Sequence, residues 1–520
     1  MINNYSKYEN SKLLAFFAVA GTVWICFFTY LHHFTFADDS FIFFRYANNI
    51  VTGHGPVFNI NERVEGFTSP LWLALLTLCQ FAHIEILHGA TLLGTFFTIA
   101  TFLSVLYFKG LYTHPLLRIS CGLFILVQPW VMFWATSGME TFLFTFLIVA
   151  TFSRFFVERE KGGSHYLSGV MAGLTFLSRP DAVIMIVVLQ MNRQRIRSRF
   201  QFLSALAIFP FLYEIFRIYY YGQLLPNTAV LKMGFSFAHL SMGLNYIRNF
   251  ITDNPVFFLS LIPAVMAIFN DKEFQHERNL IRQIYLFIIW NMVYFIFIGG
   301  DFFENHRFFV SLFPFMALLS AIGLQQIYSL ISIKKYYGQK IISIIAPASI
   351  VVIVSLVSFK VTMLKSGHGI FWITNAGKLG LSLGKELSHQ NLVASSHIGA
   401  LGYYSNLPVL DLLGLTDSVI AKTPVDEDIY KTYSKRDPGH EKFNIPYSLS
   451  RDPDVFVLLN GLTSVKATDK SEVQRSFAME HKLMTLLESN DQYAVDNIKI
   501  AEDAFWMVVK KCRDNRAGCR

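Results

Sequence analysis

Charged side chains are scarce in this chain. Lys, Arg, Asp and Glu together make up 15% of its 520 residues, whereas soluble domains carry about one quarter. That scarcity excludes an ordinary water-soluble domain. Cysteine is sparse too, and its five positions show no metal-ligand spacing. Cys26, Cys79 and Cys121 lie in apolar runs, and Cys512 with Cys519 fits either a disulfide or a free pair. The HExxH, GxxxxGK[ST], GxSxG and dinucleotide-binding patterns are missing, which leaves soluble hydrolase, P-loop and dinucleotide readings without support. No small-residue cleavage site follows the first apolar segment, so that segment reads as a retained helix. Internal repeats and low-complexity tracts are lacking as well.

What the chain does have is apolar surface. Hydrophobic residues reach 53%, with 52 phenylalanines, and this composition defines the polytopic membrane class. The formal charge of +8 does not indicate nucleic acid, because the basic residues cluster in short loops between apolar runs, the positive-inside pattern. Apolar runs fall near 12–32, 88–109, 117–135, 139–157, 165–178, 181–191, 200–221, 255–270, 281–299, 307–329 and 340–363. The basic loops EREKGG (158–163), NRQRIRSR (192–199), NDKEFQHER (270–278) and KKYYGQK (334–340) all face the cytoplasm only if residues 70–84 form a helix lying in the outer leaflet.

This topology predicts about eleven transmembrane helices in residues 1–364, with a first outer loop over 33–87. Residues 365–520 are polar, with short β-like runs (LVASS, PVLDLL, VFVLL, AFWMVV), and are expected to form a small α/β domain outside the membrane. The runs 165–178 and 181–191 are too short to cross about 30 Å singly, so Arg179-Pro180-Asp181 is expected to face an outward cavity that receives the broken backbone.

Polar chemistry then collects on one face. Asp38 and Asp39 adjoin where the first helix leaves the membrane. Neighbouring carboxylates raise at least one pKa, which suits a general base, although a solvated pair at a helix end has the same sequence. Arg45, Arg63, Arg179, Arg217, Lys232 and Arg307 map to the same side with Asp181 and Asp301. Guanidinium forks hold phosphate oxygens, so a lipid phosphate is a natural guest; each Arg taken alone equally fits an interfacial anchor. His54 and His306 fit either a sugar contact or a structural role. Trp72, Trp130, Trp134 and Tyr219–Tyr221 suit either sugar stacking or an interfacial belt.

The stretch ADDSFIFFRYANNIVTGHGPVFNINERVEGFTSPLW (37–72) resembles the first-loop signature of GT-C membrane glycosyltransferases of the arabinofuranosyltransferase-like group. That group includes mycobacterial terminal β-arabinofuranosyltransferase and proteobacterial proteins linked to the flagellar motor. The likeness continues through WATSGMET (134–141), LSRPD (177–181), YYYGQLLPNTAVLK (219–232), GGDFFENHRF (299–308) and SHIGALGYYSNLPVLDLLGLTD (396–417). It implies a polyprenyl-phosphate-sugar donor, an active site facing the periplasm of a bacterial inner membrane, and a catalytic base at Asp38 or Asp39. Arg45, Arg179, Lys232 and Arg307 are then expected on the donor phosphate. His54, Arg63, Glu65 and Asn227 are expected to contact substrate, as are Asp181, Asp301 and His306. The acceptor is a glycan, lipid or protein, no cofactor is certain, and use of a divalent cation is left open. The alternative is a non-catalytic scaffold or motor-assembly factor on the same fold. A lipid-linked-sugar transporter ranks behind both, since its path would want ionisable groups in both halves.

Overall fold

The computed structural model describes residues 2–33, 35–109, 115–191, 195–233, 237–254, 261, 265, 278–303, 305–331, 373–433, 436–464, 466–502 and 504–512. The chain divides into two compact units. One comprises Met1–Thr35, Leu87–Ile215 and Phe235–Ser366; the other comprises Phe36–Ile86, Phe216–Gly234 and Gly367–Arg520. The expected cut at residue 364 therefore separates less than the chain does. The segment expected as the first outer loop and residues 216–234 group with the tail, not with the helices that flank them.

The first unit is helical. Among the described residues, the segments Ser11–Leu31, Ile86–Leu106, Thr141–Glu160, Ile196–Tyr221 and Arg278–Phe297 are long and apolar enough to cross a membrane. At 1.5 Å per residue, 20 residues reach about 30 Å, the hydrocarbon thickness. Threonine hydroxyls within them bond back to the carbonyl four residues earlier, as Thr98, Thr101, Thr145 and Thr151 do. Polar groups are thereby satisfied without water. Phenylalanine fills the core: the Phe152 ring lies 5.3 Å from Phe287 and 4.8 Å from Phe315.

Proline sets the breaks. The expected run 117–135 is two helices, Pro115–Leu126 and Pro129–Thr136, with Pro129 at the first position of the second, where its missing N–H costs nothing. Tyr166–Ser178 stops at Arg179, whose backbone is extended, and Pro180 opens a 3-10 turn into Val183–Gln190. The expected runs 255–270 and 340–363 lie in, or almost wholly in, residues outside the described ones.

The second unit begins with helix α2, Asp38–Val51, after the first helix α1, Ile2–Leu31. Helix α3, Pro70–Phe81, has 12 residues, about 18 Å at 1.5 Å each and too short to span. The tail builds a mixed sheet from β1 (Val393–Ser395), β2 (Val409–Asp411), β3 (Val455–Val457), β4 (Leu462–Thr463), β5 (Tyr493–Ala501) and β6 (Ala504–Lys511). Its order is β2-β1-β3-β6-β4, with β5 also paired to β6. β1 runs parallel to β2 and β3, with Val393 opposite both Val409 and Val455, and β6 closes the sheet antiparallel. The helix Gly399–Ser405 makes the crossover between β1 and β2. The four expected strands are present. β5 is the unexpected one: as the polar arm of a hairpin it buries little besides Tyr493 and Ile498, so it lacks an apolar run. Cys512 is disulfide-bonded; the expected partner, Cys519, lies outside the described residues.

Candidate functional site

Two groups of polar side chains stand out, one in each unit. In the second unit Asp38 and Asp39 form the first turn of α2. The Asp38 carboxylate accepts the Ala400 amide at 2.8 Å and the Gly399 amide at 3.1 Å, both from the start of the 399–405 helix. Burial pushes the Asp38 carboxyl up to about 6; the two amides pull it back and the Asp39 charge raises it further. The approach is tight, because a Cβ on Gly399 would lie 2.0 Å from the Asp38 carbonyl oxygen. Aromatic packing extends the contact: Phe41 meets Tyr403 at 5.7 Å and Tyr404 at 5.5 Å.

Arg45, expected on a phosphate, has another role. It is 6% exposed and spends four of its five N–H groups on Phe58 O, Gly402 O, Leu407 O and Asn59 Oδ1. A buried guanidinium so engaged ties the first loop to the tail, and this corrects the expectation of an anion ligand. Asn59, which the sequence did not single out, completes the joint. Its amide donates to Val409 O at 2.8 Å and its carbonyl accepts Val409 N at 3.0 Å, as a neighbouring strand would. Asn227 also meets the tail backbone, but only as a donor: its amide donates to the carbonyls of Gly414, Leu415 and Asp417, while its backbone N–H bonds to Glu65 O. Glu65 is buried and accepts Arg217 at 2.7 Å. Both residues are thus engaged in structure rather than presented to a ligand.

Three expected residues are exposed: His54, Arg63 and Lys232. Arg63 stacks its guanidinium 4.7 Å over the Tyr220 ring.

In the helical unit, Arg179 binds Asp181 at 3.0 Å and Glu140 at 3.0 Å. Arg307 holds Asp301 bidentately, both bonds 2.8 Å. Phe308 lies 5.3 Å from each guanidinium, so one ring serves both pairs. Phe144 flanks Arg179, and Phe303 and Trp134 flank Arg307. His306 pairs with Asp253 at 2.9 Å. The loop holding these groups is conformationally unusual: Asn305 and His306 both have positive φ, as do Gly299 and Gly300. A Cβ on Gly300 would meet Tyr246 at 2.6 Å, so the backbone needs glycine there. Left-handed non-glycine residues cost about 1–3 kcal/mol each and collect at functional sites.

Glu140 is the residue that sequence reasoning missed. It is 2% exposed, and its Oε2 has no hydrogen-bond partner among the described residues. The signal was available, since a lone acid in an apolar run is costly without a partner. Asp181, Asp301, Arg179 and Arg307 join Glu140 in one cluster of three carboxylates around two guanidiniums, with His306 beside it. Phosphate at either Arg must therefore compete with a carboxylate. Among the described residues no three His, Cys, Asp or Glu side chains gather as metal ligands.

A helical membrane unit combined with a small α/β domain is the architecture of GT-C membrane glycosyltransferases, and the chain has that fold. It superimposes on ArnT from Cupriavidus metallidurans over 94% of this chain and 98% of that one, with a TM-score of 0.54 and 10% identity. An oligosaccharyltransferase from Archaeoglobus fulgidus matches over 95% of this chain and 73% of its own, with a TM-score of 0.55 and 11% identity. In sequence, the chain is 28% identical over 332 residues to a terminal β-(1→2)-arabinofuranosyltransferase of Corynebacterium glutamicum, covering 55% of this chain. It is 27% identical over 256 residues to the Mycobacterium tuberculosis protein of the same name, covering 45% of this chain. These matches span 48% and 39% of the two relatives, so the chain covers less than half of each. Residues 370–507 match a family described as a domain of unknown function (DUF8728).

Proposed function

We propose that this multi-pass membrane protein is a glycosyltransferase that moves a sugar from a polyprenyl-phosphate carrier to an acceptor hydroxyl on the periplasmic side of the inner membrane. The observation that carries the reading is Asp38: a carboxylate with a raised proton affinity, beside a second carboxylate, oriented by two backbone amides. A base works best when its pKa lies near the working pH, and about 6 is closer to neutrality than an ordinary aspartate. Support for the carrier comes from the ArnT neighbour solved bound to undecaprenyl phosphate, with a TM-score of 0.55 and 9% identity over 97% of this chain and 99% of that one. Support for arabinofuranose comes from the names of the two sequence relatives.

In this mechanism the acceptor oxygen attacks the anomeric carbon, the bond to the lipid phosphate breaks, and Asp38 takes the hydroxyl proton. Direct displacement inverts the anomeric centre, and Asp39 orients the acceptor. Lys232, in the same unit as Asp38, answers the charge on the departing phosphate. The full complement of about eleven spans belongs to the same proposal.

The test is transfer from a panel of synthetic polyprenyl-phosphate sugars by wild type, Asp38→Asn and Asp39→Asn. Loss of the base is expected to lower turnover by about 10²–10⁴ with donor binding retained. Transfer should also fall as pH drops below about 6. Undiminished turnover in both variants would sink the assignment. A second reading has one observation in its favour: the Asp38 bonds to Gly399 and Ala400 also suit a tie with no chemistry. That scaffold reading expects no turnover from wild type with any donor, together with a normal cellular phenotype from the double asparagine variant.

A further inference from the structure

We infer that the Gly399–Ser405 helix of the tail is a positioning element for the first-loop base, so that the α/β domain sets the orientation of Asp38. The inference rests on the reading of Asp38 as base and assigns positioning roles to Gly399 and Ala400.

Three independent features lead to it. First, each oxygen of the Asp38 carboxylate accepts one tail amide, Oδ2 from Gly399 at 3.1 Å and Oδ1 from Ala400 at 2.8 Å. Two donors on two oxygens define the plane of the carboxylate, and each oxygen keeps a lone pair for a proton. Secondly, the contact excludes any other residue at 399: a Cβ there would lie 2.0 Å from Asp38 O and 2.7 Å from Asp38 Cγ. The first clash is with backbone, which cannot turn aside, so the start of α2 would have to shift. Thirdly, the joint is clamped further along both partners, beyond the amides. Arg45, two turns along α2, donates to the carbonyls of Gly402 and Leu407 at 2.7 Å each, and Asn59 pairs with Val409. Residues 399–409 thus meet α2 and its following loop through main-chain atoms of five residues, Gly399, Ala400, Gly402, Leu407 and Val409.

A base displaced by about 1 Å loses about 10²-fold in rate, because the near-attack geometry is lost while binding survives. Gly399→Ala is therefore expected to lower kcat by about 10²-fold with KM for the donor within a few fold of wild type. Ala400→Pro is the second variant. It removes one N–H from Asp38 without adding bulk at 399, and proline is tolerated in the first turn of a helix. Losing a donor to the charged form raises the carboxyl pKa further. The acid limb of the pH–rate profile should then move to higher pH, a displacement that loss of folded protein cannot produce.

The experiment measures kcat, KM and the pH profile of full-length protein in nanodiscs, using whichever polyprenyl-phosphate sugar the wild type consumes. A lowered kcat in Gly399→Ala with an upward-shifted limb in Ala400→Pro supports the inference. Wild-type kinetics and an unmoved limb in Ala400→Pro would overturn it, whether or not Gly399→Ala folds. If Asp38→Asn alone abolishes transfer while both tail variants behave as wild type, only the positioning role fails. If wild type and Asp38→Asn transfer equally, the base assignment beneath it fails instead.

Discussion

The two units use their buried charges in opposite ways. In the helical unit charge answers charge: Arg179 meets Asp181 and Glu140, and Arg307 meets Asp301. In the second unit, the Glu65–Arg217 pair apart, the charged and amide side chains described above answer backbone: Arg45 caps three carbonyls, Asp38 takes two amides, Asn59 pairs with Val409 as a strand would, and Asn227 donates to tail carbonyls. The difference is mechanical. A side chain bonded to main chain specifies a shape, because the backbone group has one position. A carboxylate–guanidinium pair specifies only compensation, and an incoming anion or hydroxyl can replace either partner. The first arrangement suits orientation and the second suits ligand exchange.

The largest effect that would break this contrast concerns Arg307. Arg307→Ala leaves Asp301 buried and uncompensated and is expected to cost about 3–5 kcal/mol of stability, whereas a combined Arg307→Met, Asp301→Leu change recovers most of it. A double-mutant cycle by chemical denaturation measures both. Equal losses in the single and double variants would mean the pair is not a unit.

Arg45 comes next. Arg45→Lys offers a single point donor group where a fork reached four acceptors, and it strands buried carbonyls at about 1–3 kcal/mol each. The expected loss, about 2–4 kcal/mol, should appear in the melting of the tail domain. A silent Arg45→Lys would remove the clamp from the argument.

A smaller effect is the pH dependence of Asp411, which is buried and pushed up to about 6 by that burial while its amide partners at Thr416 and Leu413 pull it down. Its folded pKa exceeds the unfolded value of 3.8. The stabilisation it contributes is therefore complete below about 4 and is lost as pH rises through about 6. The stability of wild type minus that of Asp411→Asn should decline across this window. His397 runs the other way, since burial lowers it from 6.5 to about 3 and its contribution is lost as pH falls between them. Comparing the Asp411 variant with wild type cancels that opposing slope. The smallest expected change is Arg63→Ala: an exposed cation–π contact is worth about 0.5–1 kcal/mol, and any larger stability loss would mean Arg63 is not the open group described here.

Much of the helical unit was legible in the sequence. Apolar runs marked the spans, proline marked the break at Arg179-Pro180, and loop charge with length kept Pro70–Phe81 from being counted as a span. Arg179, Asp181, Asp301 and Arg307 were singled out for donor and substrate, and their pairing with one another was not read from the sequence. Glu140 escaped altogether. In the second unit Asn59 went unnoticed, and Arg45 was noticed for another role. Arg45 looked like an anion ligand because sequence reveals a guanidinium but never the carbonyls of Phe58, Gly402 and Leu407 that surround it.

The sequence by itself determined a chain of the membrane class, a carboxylate pair just after its first apolar segment, and a polar tail with short β-like runs. Those properties follow from composition, periodicity and side-chain type, which are local. Only the tertiary structure decided that the first loop and the tail form one unit, and that Asp38 is held by residues more than three hundred and fifty positions away. The reason is that main-chain donors and acceptors are identical at every residue. Which of them a buried side chain meets is fixed by the path of the backbone, and that path exists only in the folded chain.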